Sequence, residues 1–152
     1  MTRQPHTRLP RQKATTLMLA MLVAPTLSAS EIRSHPEARG ENRPHIHQAG
    51  NGTPVVDIAT PGSDGVSHNV YRQLDVDDAG VVFNNGRQTS ATTLAGQIGA
   101  NPALAGGTAD LILNEVRAAS ASELAGYLEI GGDPADLVIA NPAGITCDGC
   151  GF

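Results

Sequence analysis

The sequence predicts an all-β protein in which short strands stack on one another. An apolar run at residues 137–139 stops at Asn141-Pro142, because proline lacks an amide hydrogen and biases the preceding residue away from the helical region. A related segment at residues 109–114 recurs at residues 135–141, an offset of 26 positions (135 − 109), which is typical of one solenoid repeat. Two copies alone are also compatible with coincidence in a chain rich in Leu, Ala and Asp.

The composition favours the same class. With 17 Gly, 10 Pro and only 16% charged residues, many short elements joined by turns are expected. Aromatic residues make up 3% of the chain and Trp is absent, so the core must be built from Leu, Ile, Val and Ala. A chain of 152 residues suits one domain of ordinary size.

The charge distribution argues against nucleic acid as a partner. The formal net charge is −5, and seven of the ten Lys and Arg residues precede residue 50. The remainder of the chain is therefore acidic, whereas binding to phosphates requires clustered Lys and Arg. The same imbalance argues against binding to an anionic membrane surface.

The first 30 residues predict a secretory signal peptide. Residues 1–13 carry four basic residues and no acid, residues 17–24 are apolar, and small residues follow at 28–30. The apolar run is too short to span a bilayer, and this order of segments is that of an export signal. The alternative, a buried N-terminal helix, leaves the basic residues unexplained.

Residues 31–50 predict a flexible leader. They contain almost no apolar residue and so cannot offset the entropy lost on ordering. His35, His45 and His47 lie within this segment and could act as ligands of a transition metal. With no neighbouring carboxylate or thiol framework, a solvated segment is favoured and no metal site is predicted.

Folded structure is expected from residue 51 onward. Strands are predicted at residues 55–58, 66–76, 81–83, 110–116, 124–130 and 137–140, separated by turns at clusters of Gly, Asn, Asp and Pro. For residues 89–107, loops and short strands are favoured over a helix, since Gly96, Gly99 and Pro102 interrupt any helical face.

Cys147 and Cys150 flank Asp148-Gly149, a pair typical of a two-residue hairpin turn. Residues flanking such a turn face each other, so the thiols lie within disulfide reach, and export would oxidise them. A redox pair is less favoured because a carboxylate lies beside the thiols, and a zinc site would need two more ligands. Only two residues remain for the returning strand, so the natural chain is expected to continue beyond Phe152.

No catalytic residue is predicted. His68 could act as a general base, but the sequence assigns it neither a nucleophile nor an orienting residue. Asp75, Asp77 and Asp78 could bind calcium, yet they lack the regular spacing of a dedicated loop. Solvated turn carboxylates are the favoured interpretation.

Six segments together carry a more specific pattern: 65–69, 80–86, 101–104, 112–116, 124–130 and 135–145. In this order they resemble the N-terminal secretion domain of two-partner secretion exoproteins, the filamentous haemagglutinin and contact-dependent inhibition toxin family. The family motifs Asn-Pro-Asn-Leu and Asn-Pro-Asn-Gly-Ile stand here with alanine, Ala103 and Ala143, as the third residue. The matching residues, expected as partner-binding or structural corners, are Asn101, Pro102, Leu104, Asn141, Pro142, Gly144 and Ile145.

The resemblance implies a right-handed parallel β-helix with extra-helical strands over residues 51–152, incomplete at its C-terminal end. It implies a non-enzymatic domain, without cofactor or metal, that targets a large adhesin or toxin to its transporter and nucleates β-helix folding. The implied partner is an outer-membrane β-barrel with periplasmic polypeptide-transport-associated domains, reached after export through the inner membrane. The exoprotein would be secreted or held at the cell surface, where its C-terminal body meets host or neighbouring cells. The alternative is an independent small exported binding or metal-handling protein.

Overall fold

The computed structural model describes residues 30–152, which fold almost entirely as β-structure. The one helical element in this part of the chain is a 3₁₀ turn at Pro102–Leu104, and no helix in it is long and apolar enough to cross a bilayer. Of the predicted signal peptide only Ser30 lies within the described residues. The twelve strands are β1 (Glu31–Ser34), β2 (His45–Gln48), β3 (Pro54–Asp57), β4 (Val66–Asp75), β5 (Val81–Asn85), β6 (Ser90–Thr92), β7 (Gly96–Ile98), β8 (Leu111–Val116), β9 (Ser122–Leu124), β10 (Leu128–Gly132), β11 (Asp136–Ala140) and β12 (Ile145–Cys147).

The strands form the coils of a parallel β-helix with three faces. The first face contains β4, β8 and β11, the second β3, β5 and β10, and the third β9 and β12, and within each face these strands run parallel. A parallel bridge between Val76 and Leu124 extends the third face by one residue toward the first coil. The β-helix implied by the sequence is thereby confirmed.

The predicted repeat is correct in its partners but differs by one residue in register. β11 pairs with β8 so that Leu137 lies opposite Ile112, an offset of 25 positions (137 − 112) rather than the 26 of the sequence match. Because strand side chains alternate between faces, a one-residue difference decides which residues enter the core. Ile112 is fully buried, whereas Leu113 beside it is only partly buried.

The core is the aliphatic stack expected from the composition, with two aromatic residues added. Tyr71 and Phe83 are fully buried among the aliphatic residues of all three faces. The Tyr71 hydroxyl donates to Oδ1 of Asn114 at 2.9 Å, and burial raises the pKa of this phenol far above its usual value. Buried asparagines thus satisfy polar groups inside the coils, as burial of such groups requires.

Residues 31–50, expected to be a flexible leader, instead contain two ordered strands. β1 pairs antiparallel with β4, and β2 pairs antiparallel with β3, so both cover the start of the β-helix. Ile32 and Ile46 pack against the core. Backbone hydrogen bonds to a preformed sheet edge order a polar segment that could not form a core of its own. The folded region therefore includes residues 31–50 as well.

One predicted strand differs from the structure. The single strand expected at residues 124–130 is two strands, β9 and β10, separated where the chain turns from the third face to the second. Gly126 lies at this turn, directly against the carbonyl of Asp77 in the preceding coil, so only a residue without a side chain fits there.

The connection from β5 to β8 is an excursion from the β-helix. It spans residues 86–110 and contains the antiparallel hairpin of β6 and β7 and the 3₁₀ turn. The equivalent connection in the next coil, from β10 to β11, spans only residues 133–135. The expectation of loops and short strands between residues 89 and 107 agrees with this arrangement.

Candidate functional site

The first Asn-Pro corner closes the base of the excursion. Asn101 is 3% exposed, and its backbone N–H donates to the carbonyl of Gly86 at 2.8 Å. Its Nδ2 donates to the carbonyls of Ile58 at 2.9 Å and Asn84 at 3.0 Å, and its Oδ1 accepts from the N–H of Ala103 at 2.9 Å. The side chain therefore joins two strand ends to the 3₁₀ turn that it caps.

Pro102 and Leu104 complete this corner in different ways. Pro102 occupies the start of the 3₁₀ turn, where a missing N–H leaves no hydrogen bond unmade. Leu104 is 1% exposed and belongs to the main core. The corner is thus anchored by a polar residue at its start and an apolar residue at its end.

The second corner has the same hydrogen-bond geometry at a more exposed place. Oδ1 of Asn141 accepts from the N–H of Ala143 at 2.9 Å. Its Nδ2 donates to the carbonyl of Ser120 at 3.1 Å and to Oγ of Ser122 at 3.0 Å, which fastens the last coil to the one before it. Gly144 has φ of +109°, a conformation that residues with a side chain avoid.

The alanines at the third position of both motifs take part in the corners through backbone groups: each N–H donates to the asparagine side chain, and the carbonyl of Ala103 accepts from Oγ1 of Thr60. Their presence therefore leaves the hydrogen bonds of the corners intact. The two corners differ in accessibility, since Asn101 is buried and Asn141 half-buried. Pro142, Gly144 and Ile145 are exposed, whereas at the first corner Pro102 is exposed and Leu104 is buried, so the second corner leaves more of its motif accessible in the folded domain.

The predicted disulfide is confirmed, but the predicted hairpin around it is wrong. Cys147 and Cys150 are bonded, with their Cα atoms 5.3 Å apart. The chain does not reverse at Asp148-Gly149. Cys147 lies in β12, parallel to β9, and Gly151 forms a parallel bridge to Tyr127. Because a preceding coil offers hydrogen bonds on both sides of the turn, the chain continues along it, with Asp148 N–H donating to the carbonyl of Leu124 at 2.9 Å.

The last coil leaves the far end of the β-helix open. β10, β11 and β12 are the edge strands of the three faces, so their outer backbone groups lack a strand partner among the described residues. Exposed apolar side chains accompany them, with Tyr127 61% and Phe152 80% exposed. A cleft of about 800 Å³ lies beside these two residues and is lined also by Leu94, Ile130 and Leu137.

His68 is held in a polar cluster rather than in a catalytic arrangement. Its Nε2 lies 2.8 Å from Oε2 of Glu115, and its Nδ1 lies 2.9 Å from Nδ2 of Asn42. Since a carboxylate only accepts, Nε2 carries the proton and Nδ1 accepts from the amide. The pKa of Glu115 is lowered mainly by a hydrogen bond from Arg117, against the effect of partial burial, with His68 adding to the decrease.

Two of the three acidic residues considered for calcium, Asp75 and Asp77, accept hydrogen bonds from backbone N–H groups instead. Asp75 accepts from the N–H of Glu123 at 2.9 Å, and Asp77 accepts from the N–H of Ser30 and of Ala79. Within residues 30–152, one set of side chains is arranged to hold a metal ion, namely His45, His47 and Asp57. The sequence indicates both histidines as candidate ligands but not Asp57, which the pairing of β2 with β3 brings to them.

Comparison with known proteins places this geometry in a family. The profile of the "TPS secretion domain" matches residues 32–152, which is the whole described fold from β1 onward. The chain belongs to the TPS secretion domain family. The resemblance to two-partner secretion exoproteins is therefore confirmed, and the match begins well before residue 51, in agreement with the ordered strands β1 and β2.

Relatives of this TPS secretion domain are large proteins. It is 49% identical over 136 residues to "Toxin CdiA" of Yersinia pestis, covering 90% of this chain and 4% of that protein. It is 49% identical over 115 residues to a "Hemolysin" of Serratia marcescens, covering 76% of this chain and 7% of that protein. The chain thus spans only a small part of the relatives that it matches.

A solved structure shows the same fold. The crystal structure of the filamentous hemagglutinin secretion domain superposes with a TM-score of 0.69 at 41% identity, covering 81% of this chain and 38% of that one. The alternative of an independent small exported binding protein receives no support from these comparisons.

Proposed function

We propose that this chain is the non-enzymatic secretion domain of a large exoprotein, an adhesin or a contact-dependent toxin. In this proposal it directs the exoprotein to an outer-membrane β-barrel transporter and nucleates folding of the β-helix that follows. The observation that carries the proposal is the open end of the β-helix, where β10, β11 and β12 present three unpaired edges in a family whose members here are many times longer.

Nucleation follows from the strand directions. A segment emerging after the last coil meets parallel edges on all three faces, and pairing with them satisfies its backbone groups as soon as it arrives. The cleft beside Tyr127 and Leu137 receives the apolar side chains of such a segment, and their burial favours addition. Because each new coil creates the edges for the next, folding outside the cell draws the remaining chain outward.

Recognition by the transporter is proposed to occur earlier, in the periplasm, while the chain is extended. Polypeptide-transport-associated domains would bind an extended segment as an added strand, a common mode of peptide recognition. The Asn141 corner suits this role, because Pro142, Gly144 and Ile145 stay exposed in the folded domain, so holding them as an extended strand withholds no core residue from folding. In the first corner, Asn101 and Leu104 are buried, which supports a role in folding.

A secretion assay tests this proposal. The full chain, fused ahead of a reporter, is expressed in a bacterial host together with a two-partner secretion transporter from the same organism, and the reporter is measured in the medium. We expect secretion to require both the chain and the transporter. Secretion of the reporter that persists when the chain or the transporter is omitted would contradict the proposal.

Two alanine variants separate recognition from scaffolding. Asn141→Ala should keep the circular dichroism spectrum of the folded chain and reduce secretion, whereas Asn101→Ala should lower stability as well. Ala103→Asn, which restores the third residue of the family motif without removing a hydrogen bond, is the matched control and should keep both stability and secretion. Unchanged secretion by a folded Asn141→Ala chain would leave only a structural role for that corner.

A further inference from the structure

We infer that His45, His47 and Asp57 form a binding site for a divalent transition-metal ion, with Zn²⁺ the ion that the site suits best. His45 and His47 are two residues apart on β2, so their side chains project from the same face of the strand. The antiparallel register places Asp57 of β3 directly opposite His45. Two neighbouring strands therefore bring two imidazoles and one carboxylate together.

The distances between the ligand atoms are close to those of a tetrahedral site. Nδ1 of His45 and Nε2 of His47 lie 3.4 Å and 3.5 Å from the same carboxylate oxygen, Oδ2 of Asp57. Zinc bonds of about 2.0–2.1 Å imply separations of about 3.3–3.4 Å between tetrahedral ligands. All three ligand atoms lie within 4.8 Å of one another. Because the side chain of His45 is 75% exposed, its rotation can bring its ligand nitrogen closer to that of His47.

The carboxylate is fixed from behind by a buried neighbour. Nδ2 of Asn84 donates to Oδ1 of Asp57 at 2.7 Å and to the carbonyl of Gly99 at 3.0 Å, and Asn84 is 1% exposed. This bond occupies one carboxylate oxygen and leaves Oδ2 directed at the two imidazoles. Hydrogen bonds of this kind orient metal ligands and are a regular part of metal sites.

The donor set selects the class of ion. Imidazole nitrogen with one carboxylate suits Zn²⁺ and neighbouring transition metals, whereas Ca²⁺ and Mg²⁺ require mainly oxygen ligands. Three protein ligands leave a fourth position for water, and the exposed side of the site, where the His47 side chain is 38% exposed, gives solvent access to it.

A bound ion would fasten the start of the β-helix. β2 is the edge strand of its sheet and contacts the rest of the fold chiefly through β3. A metal bridging His45 and His47 to Asp57 links the two strands through side chains as well as backbone. Binding should therefore stabilise the folded chain, since an ion bound only by the native state shifts the folding equilibrium toward it.

Calorimetric titration with ZnCl₂ tests the inference. The full 152-residue chain is purified without a polyhistidine tag, treated with a chelator and titrated. We expect one Zn²⁺ per chain and a higher melting temperature in its presence. Co²⁺ in place of Zn²⁺ should give the visible absorption bands of a tetrahedral ion, which a nonspecific surface ion does not give.

Histidine variants locate the site. His45→Gln and His47→Gln should each weaken Zn²⁺ binding by about tenfold or more, and both should remain folded because neither side chain belongs to the hydrophobic core. His35→Gln is the matched control, since His35 lies in the same segment outside the cluster, and it should bind normally. Unchanged Zn²⁺ affinity in the His45→Gln, His47→Gln double variant, or no binding by the original chain, would overturn the inference. Neither outcome depends on secretion.

Discussion

Replacing Asn101 with alanine should destabilise the β-helix far more than the same replacement at Asn141. The Asn101 side chain makes three hydrogen bonds in a site that is 3% exposed. Each lost bond costs about 1 kcal/mol, and a buried group left unpaired costs about 1–3 kcal/mol, so the expected loss is about 3–5 kcal/mol. At Asn141 water replaces the lost bonds, and the loss should be about 1 kcal/mol, as for an exposed cap.

Urea unfolding followed by circular dichroism measures this difference. Since small domains are stable by about 5–15 kcal/mol, the Asn101→Ala chain should still fold, with a lower midpoint and an unchanged slope. Ala103→Asn is the control and should stay within about 0.5 kcal/mol of the original chain, because Ala103 uses only backbone groups in its hydrogen bonds. Equal losses at both asparagines, or a loss below about 1 kcal/mol at Asn101, would refute the reasoning from burial.

Three other changes test separate features. Gly126→Ala places a methyl group against the backbone of the preceding coil and should cost about 3 kcal/mol, whereas Gly99→Ala, which meets nothing within 4 Å, should cost nothing measurable in the same urea assay. The pKa of Glu115 is lowered from 4.5, chiefly by Arg117, so its contribution to stability is present above pH 4.5 and lost as the pH falls through the folded-state pKa. Glu115→Gln should therefore flatten the acid limb of melting temperature against pH, and a limb as steep as that of the original chain would contradict this. Cys150→Ser opens a loop of sequence separation 3 and should lower the free energy of unfolding by about 2 kcal/mol, while a thiol assay on the exported original chain should find no free thiol.

The sequence predicts the parts of this fold that depend on local chemistry. Aliphatic runs become the parallel strands, and Asn-Pro marks both corners because proline restricts the backbone wherever it occurs. The register of β11 on β8 is less predictable, since neighbouring Leu and Ile residues give nearly equal matches at offsets of 25 and 26. Only packing in the core distinguishes Ile112 from Leu113.

Pairing between distant segments accounts for what sequence reasoning missed. β1 and β2 contain too few apolar residues to signal strands, and they are ordered by the sheet edges that β4 and β3 provide. The same pairing brings Asp57 to His45 and His47. The alternation of the two histidines around Ile46 was the available signal, because it fits a strand with one face toward the core.

The two capping strands give the assembly a direction. β1 is four residues long, has an irregular register after Arg33 and carries an ion pair between Arg33 and Glu31, all features that discourage further strand pairing. The opposite end presents regular parallel edges. We therefore expect that separate copies do not join head to tail into fibres. Coils should be added to the β-helix only by residues of the same polypeptide chain.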